Sequence, residues 1–147
     1  MSSDKYAFMW KPWFYYYYKH LNIEQTVFLI NESIVFSDDR VRQIHVNEPD
    51  INKWTKRLRE GLEQVLYENI FLCLEDVLFA KPLVDAYFFM RFAFRYFEAD
   101  SLRLLTEQGN LATIQDKRLY SIDRLAQRSK YLISYAPSLW KKDFLLK

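Results

Sequence analysis

Glycine is nearly absent, with 2 residues in a chain of 147, where average usage is about 7%. That scarcity excludes the glycine-rich turns of a P-loop or a dinucleotide fingerprint, which need main chain bare enough to cradle phosphate. Cysteine is scarcer still: Cys73 stands alone, so no intramolecular disulfide forms. The first residues show no basic-then-apolar pattern of a secretory leader, and a cytoplasmic location is expected. Long apolar runs are missing as well. The longest stretch free of Asp, Glu, Lys and Arg is the ten residues 131–140, well short of the roughly 18 that suggest a membrane-spanning helix. Residues 88–97 are strongly aromatic but carry Arg91 and Arg95, which leaves peripheral membrane contact open and a spanning segment excluded. Nor is there an excess of one charge: 21 Lys and Arg against 19 Asp and Glu give +2. No nucleic-acid partner is expected from that balance.

What the chain has in plenty is aromatic: 12 Phe, 11 Tyr and 4 Trp. Such a chain can bury a sizeable core, which excludes disorder, and its length suits one domain, 1–147. Short apolar runs alternate with helical patterns. Residues 26–30 (Thr-Val-Phe-Leu-Ile) are β-branched and aromatic and are closed by the polar Asn31-Glu32-Ser33, which predicts a buried strand. Residues 41–46 predict a weaker strand, residues 69–74 (Asn-Ile-Phe-Leu-Cys-Leu) the strongest one, and 101–105 and 131–135 two more. Helices are predicted over 8–20, with Pro12 in its first turn, and over 53–66, where Trp54, Leu58, Leu62, Val65 and Leu66 share a face. Two others are predicted over 84–97, aromatic on most sides and so deeply buried, and over 138–146. This alternation argues for an α/β domain with a largely parallel sheet flanked by helices. In such sheets ligands bind beyond the carboxyl ends of the strands.

Glu75 and Asp76 follow the most apolar predicted strand without a spacer. Two adjacent carboxylates at the end of a buried strand repel each other, and a divalent cation, Mg2+ or Mn2+, is a natural partner for their hard oxygens. Such an ion can hold the phosphates of a nucleotide and stabilise a departing diphosphate. The same pair can equally cap the following loop, with Lys81 as an ion-pair partner. Arg57 falls at the edge of the Trp54, Leu58 and Leu62 face, and Gly61 lies beside it one turn on. A mid-helix glycine costs about 1 kcal/mol against alanine, which close approach of another backbone or a ligand would justify. Arg57 itself suits two uses: a bidentate hold on phosphate, or a stem laid over apolar surface with its head on a carboxylate.

The segments Trp54-Thr-Lys-Arg-Leu-Arg-Glu-Gly-Leu-Glu-Gln-Val-Leu66 and Asn69-Ile-Phe-Leu-Cys-Leu-Glu-Asp-Val-Leu-Phe-Ala-Lys-Pro-Leu-Val-Asp85 resemble a family of bacterial glycosyltransferases with a GT-A-like fold. In that family a tryptophan opens a helix carrying an arginine. An apolar strand then ends in an acidic pair, followed by Lys-Pro and Val-Asp. Ser3-Asp-Lys-Tyr-Ala-Phe-Met-Trp-Lys-Pro-Trp13 looks like the start of the family's first helix, and Ile133-Ser-Tyr-Ala-Pro-Ser-Leu-Trp-Lys-Lys-Asp-Phe-Leu-Leu146 like its acceptor-side strand and helix. The resemblance implies metal-assisted transfer of a sugar from a nucleotide-sugar donor to a glycan acceptor, in the making of surface polysaccharide. It implies Asp76 for the Mn2+ or Mg2+, Glu75 nearer the ribose or donor sugar, Asp4 and Tyr6 near base and ribose, and Arg57 as the helix arginine. It names no catalytic base.

Two departures carry consequences. The acidic motif is Glu-Asp, not a separated Asp-x-Asp, which leaves the division of roles between Glu75 and Asp76 open. The family's apolar first strand, which lies centrally in its sheet, has only Met1 and Ser2 in its place, and the family's segment beyond the last helix has no counterpart after Lys147. The expectation is an incomplete GT-A-like domain, in which residues 26–30 pair directly with 69–74 or another chain repairs the sheet. The alternative function is a binding or assembly module, oligomeric or in complex, working through its aromatic surface. A concave pocket at Asp76 faced by Arg57 marks the enzyme; an exposed apolar patch on the aromatic helices marks the module. His20 and His45 lack ligand spacing, Cys73 is expected to be buried and inert, and Arg91 and Arg95 are placed for an anionic acceptor or a solvated stripe.

Overall fold

A computed structural model describes residues 1–48, 50–104, 113–115, 123–125 and 137–147. A short 3-10 turn, Asp4–Tyr6, leads into α1 (Ala7–His20). Strands β1 (Val27–Asn31) and β2 (Val41–His45) follow and pair in parallel, Val27 opposite Val41 through Asn31 opposite His45. Helix α2 (Trp54–Glu63), strand β3 (Asn69–Leu72), helix α3 (Val84–Tyr96) and strand β4 (Ser101–Arg103) come next. Two short strands, β5 (Thr113–Gln115) and β6 (Asp123–Leu125), pair with each other. Strand β7 (Ser138–Lys141) and helix α4 (Lys142–Leu145) close the sequence of elements.

The core is layered. Strand alternation turns Ile30 and Ile44 to one side, where Leu58, Leu62 and Val65 from α2 and its exit meet them together with Leu72 and Trp140. Leu29 and Val41 turn to the other side, onto Trp10 and Phe14 of α1. The same alternation in β7 sends Leu139 opposite to Trp140, onto Tyr17, Tyr87, Met90 and Phe94 of α1 and α3. Burying each Leu or Phe is worth about 1.5–3 kcal/mol, so these three clusters set the positions of the helices. Helix α2 therefore lies on one face of the strands, and α1 with α3 on the other.

Mixed α/β architecture is what the sequence predicted; the largely parallel sheet is not what the described strands form. Only β1 and β2 run parallel as a pair. β7 lies between β3 and β4 and is antiparallel to both, Ile70 opposite Trp140 and Leu102 opposite Leu139. The physical reason is that residues 138–141 form a strand, not the start of a helix: Trp140 is 1% exposed and can be buried on a sheet face there. β1 and β3 do not pair directly, in contrast to one expectation. Met1 and Ser2 stand between them instead, Ser2 N donating to Ile30 O at 2.9 Å and Met1 N to Cys73 O at 3.2 Å.

Smaller differences have local causes. Pro12 lies in the second turn of α1, not the first; the carbonyl it leaves without a donor is that of Phe8, which is exposed. Leu66 is 94% exposed, because α2 stops at Glu63 and the following residues leave the helical face. Helix α3 is buried on one side only, through Tyr87, Met90, Ala93 and Phe94, while Phe88, Phe89, Phe92 and Tyr96 are exposed. It ends on Glu98 with φ of 50°. Ala99 N reaches back to Phe94 O and Glu98 N to Arg95 O, a closure that ordinarily takes glycine. The strand predicted at 131–135 lies outside the described residues. No helix among the described residues is long and apolar enough to cross a membrane.

Candidate functional site

Asp4 sits at the carboxyl end of β1, and its carboxylate gathers the turn that follows that strand. Asn31 Nδ2 donates to it at 2.8 Å, Ser33 Oγ at 2.8 Å, and the main-chain N–H groups of Glu32, Ser33 and Ile34 at 3.2, 2.9 and 3.0 Å. Partial burial pushes the Asp4 carboxyl up. The hydrogen bonds from Asn31, Ser33 and Ile34 together outweigh it and hold the pKa down at about 2. This grip explains how residues 32–40 return from β1 to a parallel neighbour without a crossover helix: Asp4 fixes their start, and Phe36 packs on Trp10 and Phe14. Tyr6, on the 3-10 turn beside Asp4, is exposed, with the Lys5 ammonium 5.8 Å from its ring centre.

Glu32 links that turn to α2. Its carboxylate accepts from Ser3 Oγ at 2.9 Å and from Asp4 N, and pairs with Arg57 Nη1 at 2.8 Å. Arg57 is 2% exposed, and its Nη2 donates to Glu48 O at 2.7 Å. Of the two uses the sequence allowed for Arg57, the observed one is the carboxylate pair with a buried stem. Its guanidinium is a strut between Glu32 and the Glu48 loop; Nε alone has no partner. Glu48 is held in turn by Lys56 at 2.9 Å and Lys53 at 3.8 Å. Gly61, one turn on, permits α2 to lie against β1: a Cβ there would meet Ile30 Cγ2 at 2.5 Å.

Glu75 and Asp76 form a turn just past β3, closed by Val77 N on Leu74 O at 3.4 Å. Trp13 clamps that turn from α1, its Nε1 donating to Leu74 O at 3.1 Å and Val77 O at 3.0 Å. The indole is itself held by stacking on Tyr17, ring centres 5.2 Å apart, and by the edge of Phe79. Glu75 is half-buried near the Met1 ammonium, and Asp76 is exposed. In kind, this pair suits a hard divalent ion. In number it supplies two carboxylates, and no group of three or more His, Cys, Asp or Glu gathers among the described residues. An ion there would draw its remaining ligands from water and a diphosphate, as Mg2+ does.

The structure thus brings Asp4 and Arg57 together through Glu32, and sets Glu75 beside Met1 at the same end of the strands. Among the described residues no hydrogen bond or ion pair joins the Asp4, Glu32 and Arg57 group to Glu75 or Asp76. The cavity of about 210 Å3 lies between β1 and β3; Glu75 lines it, whereas Asp76 and Arg57 do not. Burial also pushes the Cys73 thiol in its wall up to about 12. Sequence reasoning missed Glu32, Glu48 and Trp13. The polar Asn31-Glu32-Ser33 was legible only as a strand terminator, and Trp13 only as one more ring in an aromatic helix. Comparisons of the chain with family models, with curated proteins and with solved structures each returned no match.

Proposed function

We propose that the chain is an assembly module on a glycosyltransferase-like scaffold, docking through the exposed face of α3, with a second copy of itself as the simplest partner. The observation that carries this reading is the aromatic stripe: Phe88, Phe92 and Tyr96 are 54%, 59% and 59% exposed, Phe89 42%, and Arg91 and Arg95 are interleaved. At roughly 200 Å2 a ring, the four expose about 400 Å2, the size of patch that is often functional on a monomer. That is about half of the roughly 800 Å2 per partner of a standard interface, so the association is weak and concentration-dependent. Sedimentation velocity tests it. The wild-type chain associates as its concentration rises, and Phe88→Ser with Phe92→Ser abolishes this. A wild-type chain that stays monomeric up to about millimolar concentration, weaker than any useful association, refutes it.

A second reading, metal-assisted glycosyl transfer from a nucleoside-diphosphate sugar, is favoured by the acidic turn at the carboxyl end of β3 and by its clamp from Trp13. Asp76 would hold Mn2+ or Mg2+, and Glu75 the ribose or donor sugar. Asp4, with its oxygens already satisfied, would fix the wall of the nucleotide site, and Arg57 would position Glu32 without touching phosphate. The ion would stabilise the departing diphosphate. Calorimetry with uridine or guanosine diphosphate and Mn2+ should give metal-dependent heat that Asp76→Asn removes; no heat from the wild-type chain sinks this reading.

A further inference from the structure

Helix α1 is aromatic on two sides, and only one of them faces the strands. Trp10, Phe14 and Tyr17 are buried on that side. On the other, Phe8 and Tyr15 are 73% and 59% exposed, and Lys11 and Lys19 are exposed with them. At about 100° per residue these four lie within about 80° of arc, a single row in which ring and ammonium alternate. The Lys19 ammonium lies 5.6 Å from the centre of the Tyr15 ring. From Phe8 to Lys19 the row is about 16 Å long at roughly 1.5 Å per residue. Lys5, exposed on the turn ahead of the helix, adds a third cation.

No acid answers these lysines. The sequence Ala7–His20 contains neither Asp nor Glu, and among the described residues Lys5, Lys11 and Lys19 form no ion pair. The Asp4 carboxylate, the nearest in sequence, is engaged with Asn31, Ser33 and Ile34. Around α2, by contrast, Lys53, Lys56 and Arg59 each have a carboxylate, and on α3 Asp85 is exposed in the first turn. The α1 row therefore complements an anionic partner, and its shape and rings decide which. The convex side of a helix has no groove to grip a peptide, but it meets a flat surface along its whole length. A soluble acidic protein would answer the lysines and leave Phe8 without an apolar seat. A bilayer supplies both: rings enter the acyl boundary while ammonium groups and the Tyr15 hydroxyl stay among the headgroups.

We infer that the outer row of α1 lies along an anionic lipid surface, with Phe8 and Tyr15 at the acyl boundary and Lys5, Lys11 and Lys19 on the negative headgroups. The contact is peripheral. Helix α1 lies in the plane of the interface, and its buried side keeps its place on the strands. The row is separate from the α3 stripe, and neither reading of the chain's function depends on it.

The test is flotation of the wild-type chain with vesicles of phosphatidylserine and phosphatidylcholine mixed one part to two. The chain should float with these vesicles at low salt, stay behind with pure phosphatidylcholine, and be released by about 1 M salt, where the Debye length is about 3 Å. Lys11→Gln with Lys19→Gln should weaken binding about 25-fold, at about fivefold for each lysine near the surface. In the bound state Phe8→Trp should be quenched by brominated acyl chains beyond the wild-type chain. Phe88→Ser with Phe92→Ser, which removes the α3 stripe, should float as the wild type does. No flotation with the anionic vesicles overturns the inference, as does equal binding to pure phosphatidylcholine. Unchanged binding of the double lysine variant, or lost binding of the α3 variant, overturns the assignment to α1. Displacement of the vesicles by soluble polyglutamate, with no extra quenching at position 8, makes the partner an acidic polypeptide and overturns the lipid surface.

Discussion

Replacing Gly61 with alanine should destabilise the protein, although a helix propensity scale says the reverse. Alanine in the middle of α2 gains about 0.8–1 kcal/mol over glycine. Against this, the new Cβ would stand 2.5, 2.8 and 3.0 Å from Ile30 Cγ2, Cδ1 and Cγ1, where carbon atoms rest at about 3.5–4.0 Å. All three atoms belong to one side chain that is 4% exposed and walled in by Ile44, Leu58 and Leu62. Its main chain is also pinned, by Ser2 on one edge and β2 on the other. Ile30 can give way only by turning towards the cavity between β1 and β3, which it lines, or by letting helix and strand part by up to about an ångström, and either loosens its contacts with Ile44, Leu58 and Leu62. Overpacking of this kind costs about 1–3 kcal/mol, and overlap this close belongs at the upper end. The net effect is a loss of about 2 kcal/mol, or roughly 4–8 °C in Tm for a domain of this size. Urea unfolding followed by tryptophan fluorescence measures it. Ile30→Ala supplies the control, because it removes all three clashing atoms: in that background Gly61→Ala should become stabilising by about 1 kcal/mol. A single Gly61→Ala variant that is more stable than wild type, or a double-mutant cycle without coupling, refutes the reasoning.

Two further outcomes follow from individual geometries. The Asp4 carboxyl titrates at about 2 in the folded chain, below the ordinary 3.8, so its contribution to stability is full above about pH 4 and is lost as pH falls towards 2; acid unfolding of Asp4→Asn should show a shallower dependence over that window than wild type. Glu98 holds a left-handed conformation at the end of α3, which costs a non-glycine residue about 1–2 kcal/mol, and its carbonyl bond from Lys141 Nζ at 3.0 Å needs no side chain. Glu98→Gly should therefore raise stability by about 0.5–1 kcal/mol once the added chain entropy is counted, read as a higher urea midpoint at an unchanged slope.

The parts of this fold that were legible in the sequence are those where one element's own pattern decides the matter. Residues 53–66 announced a helix and its buried face, because Leu58 and Leu62 recur at helical spacing, and residues 26–30 announced a strand by branching and by the polar stop after it; the observed elements are Trp54–Glu63 and Val27–Asn31. What needed a partner was not legible. Residues 138–141 carry no mark of direction or register, so their antiparallel place between β3 and β4 could not be foreseen, and with it went the expected parallel sheet. Helix α3 looked buried because apolar residues surround it, yet among the described residues only one side finds a neighbour, and the count of aromatics says nothing about how many neighbours exist. At the candidate site, Arg57 stood out by its edge position on the helix, but which carboxylate it meets depends on Glu32, 25 positions earlier in the sequence. The close approach proposed for Gly61 was legible in kind, and Ile30 as the group that approaches was not.

The position of β7 bears on how the protein is made. Its residues, Ser138–Lys141, form the middle of a three-stranded sheet whose other members are β3 and β4, so both of those strands wait unpaired on the ribosome until the middle one exists. At about 5–20 residues per second, the roughly 70 residues from Leu72 to Lys141 take about 4–14 seconds to add. For much of that interval Ile70, Phe71 and Leu72 are exposed together with the aromatics of Val84–Tyr96, a combination prone to sticking to other nascent chains. Folding of this half therefore cannot finish before residues 138–141 are free to enter between β3 and β4.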